Sequence, residues 1–122
     1  MEDIKIKLSN FTIAPGARYI EEGPDSGERY RNEIVEPNYK QAVSTDSKLI
    51  IDIDGCEGYP SSFFNEAFGG LMRRLREEGD SQITLEKLWE TIILTSTVPA
   101  KIDRVKRYAT DRYGRDKVIG ED

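Results

Sequence analysis

Histidine is absent from the 122 residues, and cysteine occurs once, at Cys56. The first absence removes histidine-based catalytic triads, His–Cys zinc sites and imidazole proton shuttles together. The second rules out a disulfide within the chain, in keeping with a reducing compartment. Long hydrophobic runs are missing too: none approaches the roughly 18 apolar residues of a membrane span. The first eight residues mix acids and bases and have no secretory core. A soluble cytoplasmic protein is expected. Positive charge is also in deficit. The formal net charge is −5, which argues against a general nucleic-acid binder.

A chain of this length suggests one domain able to bury a core without staples. Charged residues, at 34%, nearly equal the apolar set at 37%, so folding depends on how the apolar residues are grouped. They fall into periodic blocks. Ile4, Ile6 and Leu8 alternate with Lys5 and Lys7, the pattern of a half-buried strand near a sheet edge. Phe11-Thr12-Ile13 extends or repeats it. After the Pro15-Gly16 turn signal, residues 17–20 read equally as a short strand or a helix start. Around Ser26 a loop leads into a helix, with two rival caps: a capping box from Asp25 to Glu28, or Ser26 itself. Tyr30, Ile34, Tyr39, Ala42 and Val43 keep a loose helical period, and Pro37 inside it predicts a kink, or the start of a second short helix.

The stretch from Lys48 to Leu75 is the centre of the chain. Leu49-Ile50-Ile51 reads as a buried strand that ends in Asp52-Ile53-Asp54-Gly55. A turn follows through Cys56, Gly58, Tyr59 and Pro60, and Ser61-Ser62 open a helix. Alternation places Asp52 and Asp54 opposite Ile51 and Ile53. The bland role for the two acids is to accept backbone N–H bonds at a strand end, and for the serines to cap the helix. Phe63, Phe64, Ala67, Phe68, Leu71, Met72 and Leu75 make a wide apolar face for packing on a sheet. Gly69-Gly70 in mid-helix implies close approach of the helix backbone to the sheet or to a partner. Gly79 is a C-terminal stop. Arg73, Arg74 and Arg76 read as a solvated face paired with Glu77 and Glu78.

Residues 84–89 read as a short helix or turn, and 91–95 as a β-branched strand carrying on from Trp89, itself a core or edge plug. Pro99 starts a last helix with Ile102, Val105, Ala109 and Tyr113 inward and Gly114 as its end. A charged tail, 115–122, follows a domain of residues 1–114. Alternating strands and helices predict an α/β fold with a small mixed or parallel sheet. In such sheets, partners and ligands are met beyond the C-terminal strand ends, here the corner from Gly55 to Phe68.

Several short motifs carry a family likeness. Gly16-Ala17-Arg18, residues 26–31, Pro37 before Ala42, the segment from Asp52 to Gly55, the Ser61-Ser62 pair and residues 66–71 together resemble the prokaryotic STAS-like domains of unknown function. The resemblance runs from about Phe11 to Tyr113. It implies a STAS-like sheet with helices mainly on one face, and a fold shared with anti-sigma factor antagonists. In those proteins a helix-start serine is phosphorylated by a histidine-kinase-like ATPase, which the unphosphorylated domain binds. Carried over, Ser62 is the acceptor and Ser61 a helix cap, while Gly58, Tyr59, Pro60, Ser61, Ser62, Phe63 and Phe64 shape the docking surface. Pro60 and Phe63 depart from the antagonists' aspartate and glycine.

The likeness implies a non-catalytic, signalling or scaffold protein without cofactor or metal. A scaffold role would need no phosphorylation. Asp52-Ile53-Asp54-Gly55 also resembles the opening of haloacid-dehalogenase-type phosphatases, with Asp52 as nucleophile and Asp54 as acid/base around Mg²⁺. Those enzymes need a later lysine and acidic pair on neighbouring strands, whereas Asp103 and Asp111 fall on a predicted helix. Nucleotide sensing, attributed to some STAS domains, finds no Walker-type loop here. The oligomeric state is not legible.

Overall fold

A computed structural model describes residues 2–110. Three four-residue strands, β1 (Ile4–Lys7), β2 (Leu49–Asp52) and β3 (Ile92–Thr95), form a parallel sheet in the order β1-β2-β3. Ile4, Leu49 and Ile92 stand in register, as do Ile6, Ile51 and Leu94. These side chains share one face with the helices, and β2 and β3 bury theirs fully or nearly so. Parallel neighbours need crossover connections. The helices supply them and lie on that one face, as the family resemblance implies.

The first crossover departs from expectation at its start. Leu8 opens a single helical turn, α1 (Leu8–Phe11), closed by the Thr12 N–H bonding the Leu8 carbonyl at 3.0 Å. Phe11-Thr12-Ile13 therefore neither extends nor repeats β1. Residues 17–19 are irregular and end in a short 3₁₀ turn at Ile20–Glu22. Of the rival caps, Ser26 wins: its Oγ accepts the Arg29 N–H at 3.1 Å. Glu28 instead reaches back to the Ile20 N–H at 2.9 Å.

From there α2 (Gly27–Tyr30), a π turn (Arg31–Val35) and α3 (Glu36–Ser44) run on without leaving helical backbone angles. The Glu36 N–H bonds the Arg31 carbonyl five residues back. This wider turn comes just before Pro37, where a proline ring would otherwise meet the carbonyl four residues behind it. The irregularity expected at Pro37 thus takes the form of a π turn just before it, with the proline in the first turn of α3 and no gap in the helical backbone.

The second long helix repeats the device: α4 (Ser61–Phe64), a π turn (Asn65–Gly69) and α5 (Gly70–Glu77). Its apolar face is buried at Phe63, Phe64, Ala67, Phe68, Leu71 and Leu75. Gly79 ends it with φ +119°, its N–H on the Arg76 carbonyl and that of Asp80 on the Leu75 carbonyl. This is the left-handed stop expected of that glycine. Thr84 caps α6 (Leu85–Thr91), which feeds β3, and α7 (Pro99–Thr110) follows with Val105 and Ala109 buried. Trp89 packs on Phe68, 5.5 Å between rings. Tyr113, Gly114 and the tail 115–122 lie outside the described residues. No helix among the described residues is long and apolar enough to cross a membrane.

Candidate functional site

The C-terminal ends of the three strands converge on one corner, and the chain after β2 is stitched to both neighbours there. Asp52 turns its carboxylate on the Asp54 N–H at 2.9 Å. Asp54 in turn reaches the loop after β3, accepting from Ser96 Oγ at 2.6 Å and from the Thr97 N–H at 2.7 Å. The Ser96 hydrogen bond, then the Thr97 amide, hold the Asp54 carboxyl below its ordinary pKa against slight desolvation. Both acids are thus engaged in fixing loops, the bland role read for them in the sequence. Among the described residues no cluster of His, Cys, Asp and Glu is arranged to hold a metal ion.

On the other side the turn meets the segment after α1. The Glu57 N–H bonds the Ile13 carbonyl at 2.6 Å, and the Cys56 thiol donates to the Thr12 carbonyl at 3.5 Å. Burial pushes the thiol pKa up; Lys101 opposes this, and Asp52 and Asp54 add to it. At neutral pH Cys56 is a protonated packing residue. Tyr59 is tethered as well. Its hydroxyl donates to the Ile53 carbonyl at 2.8 Å, its ring stacks 6.0 Å from Phe64, and Lys101 Nζ lies 4.8 Å over the ring.

Pro60, in extended conformation, is the N-cap of the helix that follows. Ser61 and Ser62 are therefore its first two helical residues, and no side chain caps it. This corrects the capping role expected of Ser61: with the cap position one residue earlier, its hydroxyl is misplaced for the bond. Both serines are half-buried, and neither hydroxyl has a hydrogen-bond partner among the described residues. Phe63 and Phe64 need the opposite correction. Both are fully buried, in a chain of rings from Phe11 through Tyr30 and Phe63 to Phe64 and Phe68. Neither can touch a partner. The accessible corner is Gly58, Tyr59, Pro60, Ser61 and Ser62.

One feature is not visible in the sequence. The Glu66 carboxylate, nearly buried, bonds Arg31 directly and lies 3.6 Å from Arg18 and 3.7 Å from Arg73. Arg18 also donates to Asn65 Oδ1 at 2.6 Å, and Asn65 Nδ2 donates to the Tyr108 carbonyl at 3.1 Å, near the end of α7. Both π turns contribute to this cluster, Arg31 from one and Asn65 and Glu66 from the other. It ties the two long helices to α7 and to the irregular segment at Arg18. Arg73 therefore points inward, and Arg74 bonds Glu36 at 2.9 Å as well as Glu78. Arg76 donates to the Ile83 carbonyl. The expected pairing with Glu78 holds for Arg74, but Arg73 and Arg74 also reach Glu66 and Glu36, so the three arginines are not simply a solvated face. The sequence clue lay in the same short motifs that carry the family likeness: Gly16-Ala17-Arg18, residues 26–31 and residues 66–71 meet here.

Comparisons with known proteins agree with this architecture. No curated protein and no solved structure matches the chain. The family model for STAS-like domains of unknown function matches residues 26–92. That span begins at the Ser26 cap, ends at the first residue of β3, and includes both long helices, β2 and the serine corner. It is narrower than the resemblance from Phe11 to Tyr113 but covers more than half of the sequence. The chain belongs to the family of STAS-like domains of unknown function.

Proposed function

We propose that this domain is a non-catalytic regulatory module that docks a protein partner through the corner at Gly58–Ser62 and is switched by phosphorylation of Ser62, with Ser61 the alternative acceptor. The observation that carries the reading is the pair of unpartnered hydroxyls on the first turn of a 17-residue helical run. A phosphate there adds about −1.5 to −2 charges. The free N–H groups of the first helical turn favour it, so the helix tolerates the modification while the surface changes sign. A partner complementary to neutral serines would be repelled. By likeness to anti-sigma factor antagonists, that partner is a histidine-kinase-like ATPase.

A catalytic role for Asp52 and Asp54 has less support. Asp54, the acid/base of that reading, has both oxygens bonded, to Ser96 Oγ and to the Thr97 N–H, and so shapes the corner instead of facing a substrate; Asp52 holds the Asp54 N–H with one oxygen. The test is differential co-purification of tagged protein from its source cells. A partner retained by wild type and Ser62→Ala but lost from Ser62→Asp is expected. Equal retention by all three would leave a phosphorylation-independent scaffold.

A further inference from the structure

The helices cover one face of the sheet only. Strand alternation puts Lys5, Lys7, Ile50, Asp52, Ile93 and Thr95 on the other. Lys5, Lys7, Ile93 and Thr95 are exposed, Ile93 by 39%, and Ile50 and Asp52 are half-buried. Parallel sheets are almost always covered on both faces, and among the described residues nothing covers this one.

The chemistry of the face selects its occupant. Ile50 and Ile93 are neighbours in register and form an apolar strip, with Lys5 beside them in the same row and Lys7 in the next. Neither lysine has an ion-pair partner among the described residues. Two acids lie nearby and keep their charge: Asp52, beside Lys7 in register, accepts the Asp54 N–H, and Asp3, one residue before β1, accepts the Lys48 N–H at 2.9 Å. On a chain of net charge −5, the face itself has two lysines against one carboxylate, a small positive excess. Three strands at about 4.8 Å spacing and four residues at about 3.3 Å each make a face roughly 10 Å by 13 Å. That matches the width of one helix and is far below the roughly 800 Å² per partner of a stable homodimer.

We infer that the open face receives an amphipathic helix of a partner protein, its apolar stripe on Ile50 and Ile93 and acidic residues flanking it against Lys5 and Lys7. This surface is separate from the serine corner and does not depend on it. Lysines on an edge strand also discourage strand pairing, and that role alone would need no partner.

The two are separated by titrating the ¹⁵N-labelled full chain with two synthetic amphipathic helices of identical Leu stripe, one flanked by Glu and one by Lys. The expected result is saturable shifts with the Glu peptide at the amides of Lys5, Lys7, Ile50 and Ile93. Lys5→Glu/Lys7→Glu should weaken it by about tenfold, the loss of two exposed ion pairs, with the rest of the spectrum unchanged. Ile93→Asp should abolish it. Absent shifts, equal shifts with both peptides, shifts on the helices, or a response only to anionic lipid vesicles would overturn the inference.

Discussion

Asp54 shows how a single carboxylate sets the shape of the corner. Its lowered pKa means that the folded state prefers the ionised form. The stabilisation is therefore complete above the ordinary aspartate range, near pH 4, and is lost as pH falls through the lower folded value. In urea denaturation, wild type should exceed Asp54→Asn by a constant margin between about pH 5 and 7, and the margin should close at lower pH. A margin that instead grew on acidification would contradict the assignment. Glu66 matters more to the fold. Removing it leaves buried guanidinium groups without their counter-charge, which typically costs about 3–5 kcal/mol. Glu66→Ala should show that loss in denaturant midpoints, and a near-neutral result would mean that Arg18 and Arg31 find water instead. The sequence concealed this cluster because charged residues in a polar chain read as surface. Arg18 and Glu66 are 48 positions apart, and nothing local predicts that they meet.

The elements show why some features were legible and others were not. Apolar periodicity reveals the long helices and β2 directly, since burying one face is what stabilises them. The π turns leave no such mark, because one extra residue in a turn shifts the period by less than the width of the apolar stripe. Close approach was legible in Gly69 but its target was not: a Cβ there would sit 2.6 Å from the Ala109 carbonyl oxygen, so the glycine lets α7, and not the sheet, reach the helix backbone. The serines were ambiguous, because Ser26, Ser61 and Ser62 have the same local look and only geometry separates them. Ser26→Ala, which deletes a true cap, should destabilise by about 1 kcal/mol. Ser61→Ala and Ser62→Ala should stay within about 0.5 kcal/mol of wild type. Thermal denaturation of the three variants decides it; a full cap penalty at Ser61 would mean that its hydroxyl bonds the helix end in solution.

At the scale of the molecule, the one-sided parallel sheet carries the two surfaces proposed for partners, the serine corner beyond the strand ends and the lysine-edged open face. The alternation of Lys5 and Lys7 announced an edge strand, but the openness of the whole face follows from register, which no single strand reveals. The family match places the corner and both long helices inside the STAS-like core. The central claim, that the corner is a phosphorylation switch, is tested most directly by intact mass and peptide mapping over Tyr59 to Arg73, on protein purified from its source cells under several growth conditions. The account predicts a fraction carrying one phosphate on Ser62, or on Ser61. A protein unmodified in every condition, with partners still bound, would contradict it.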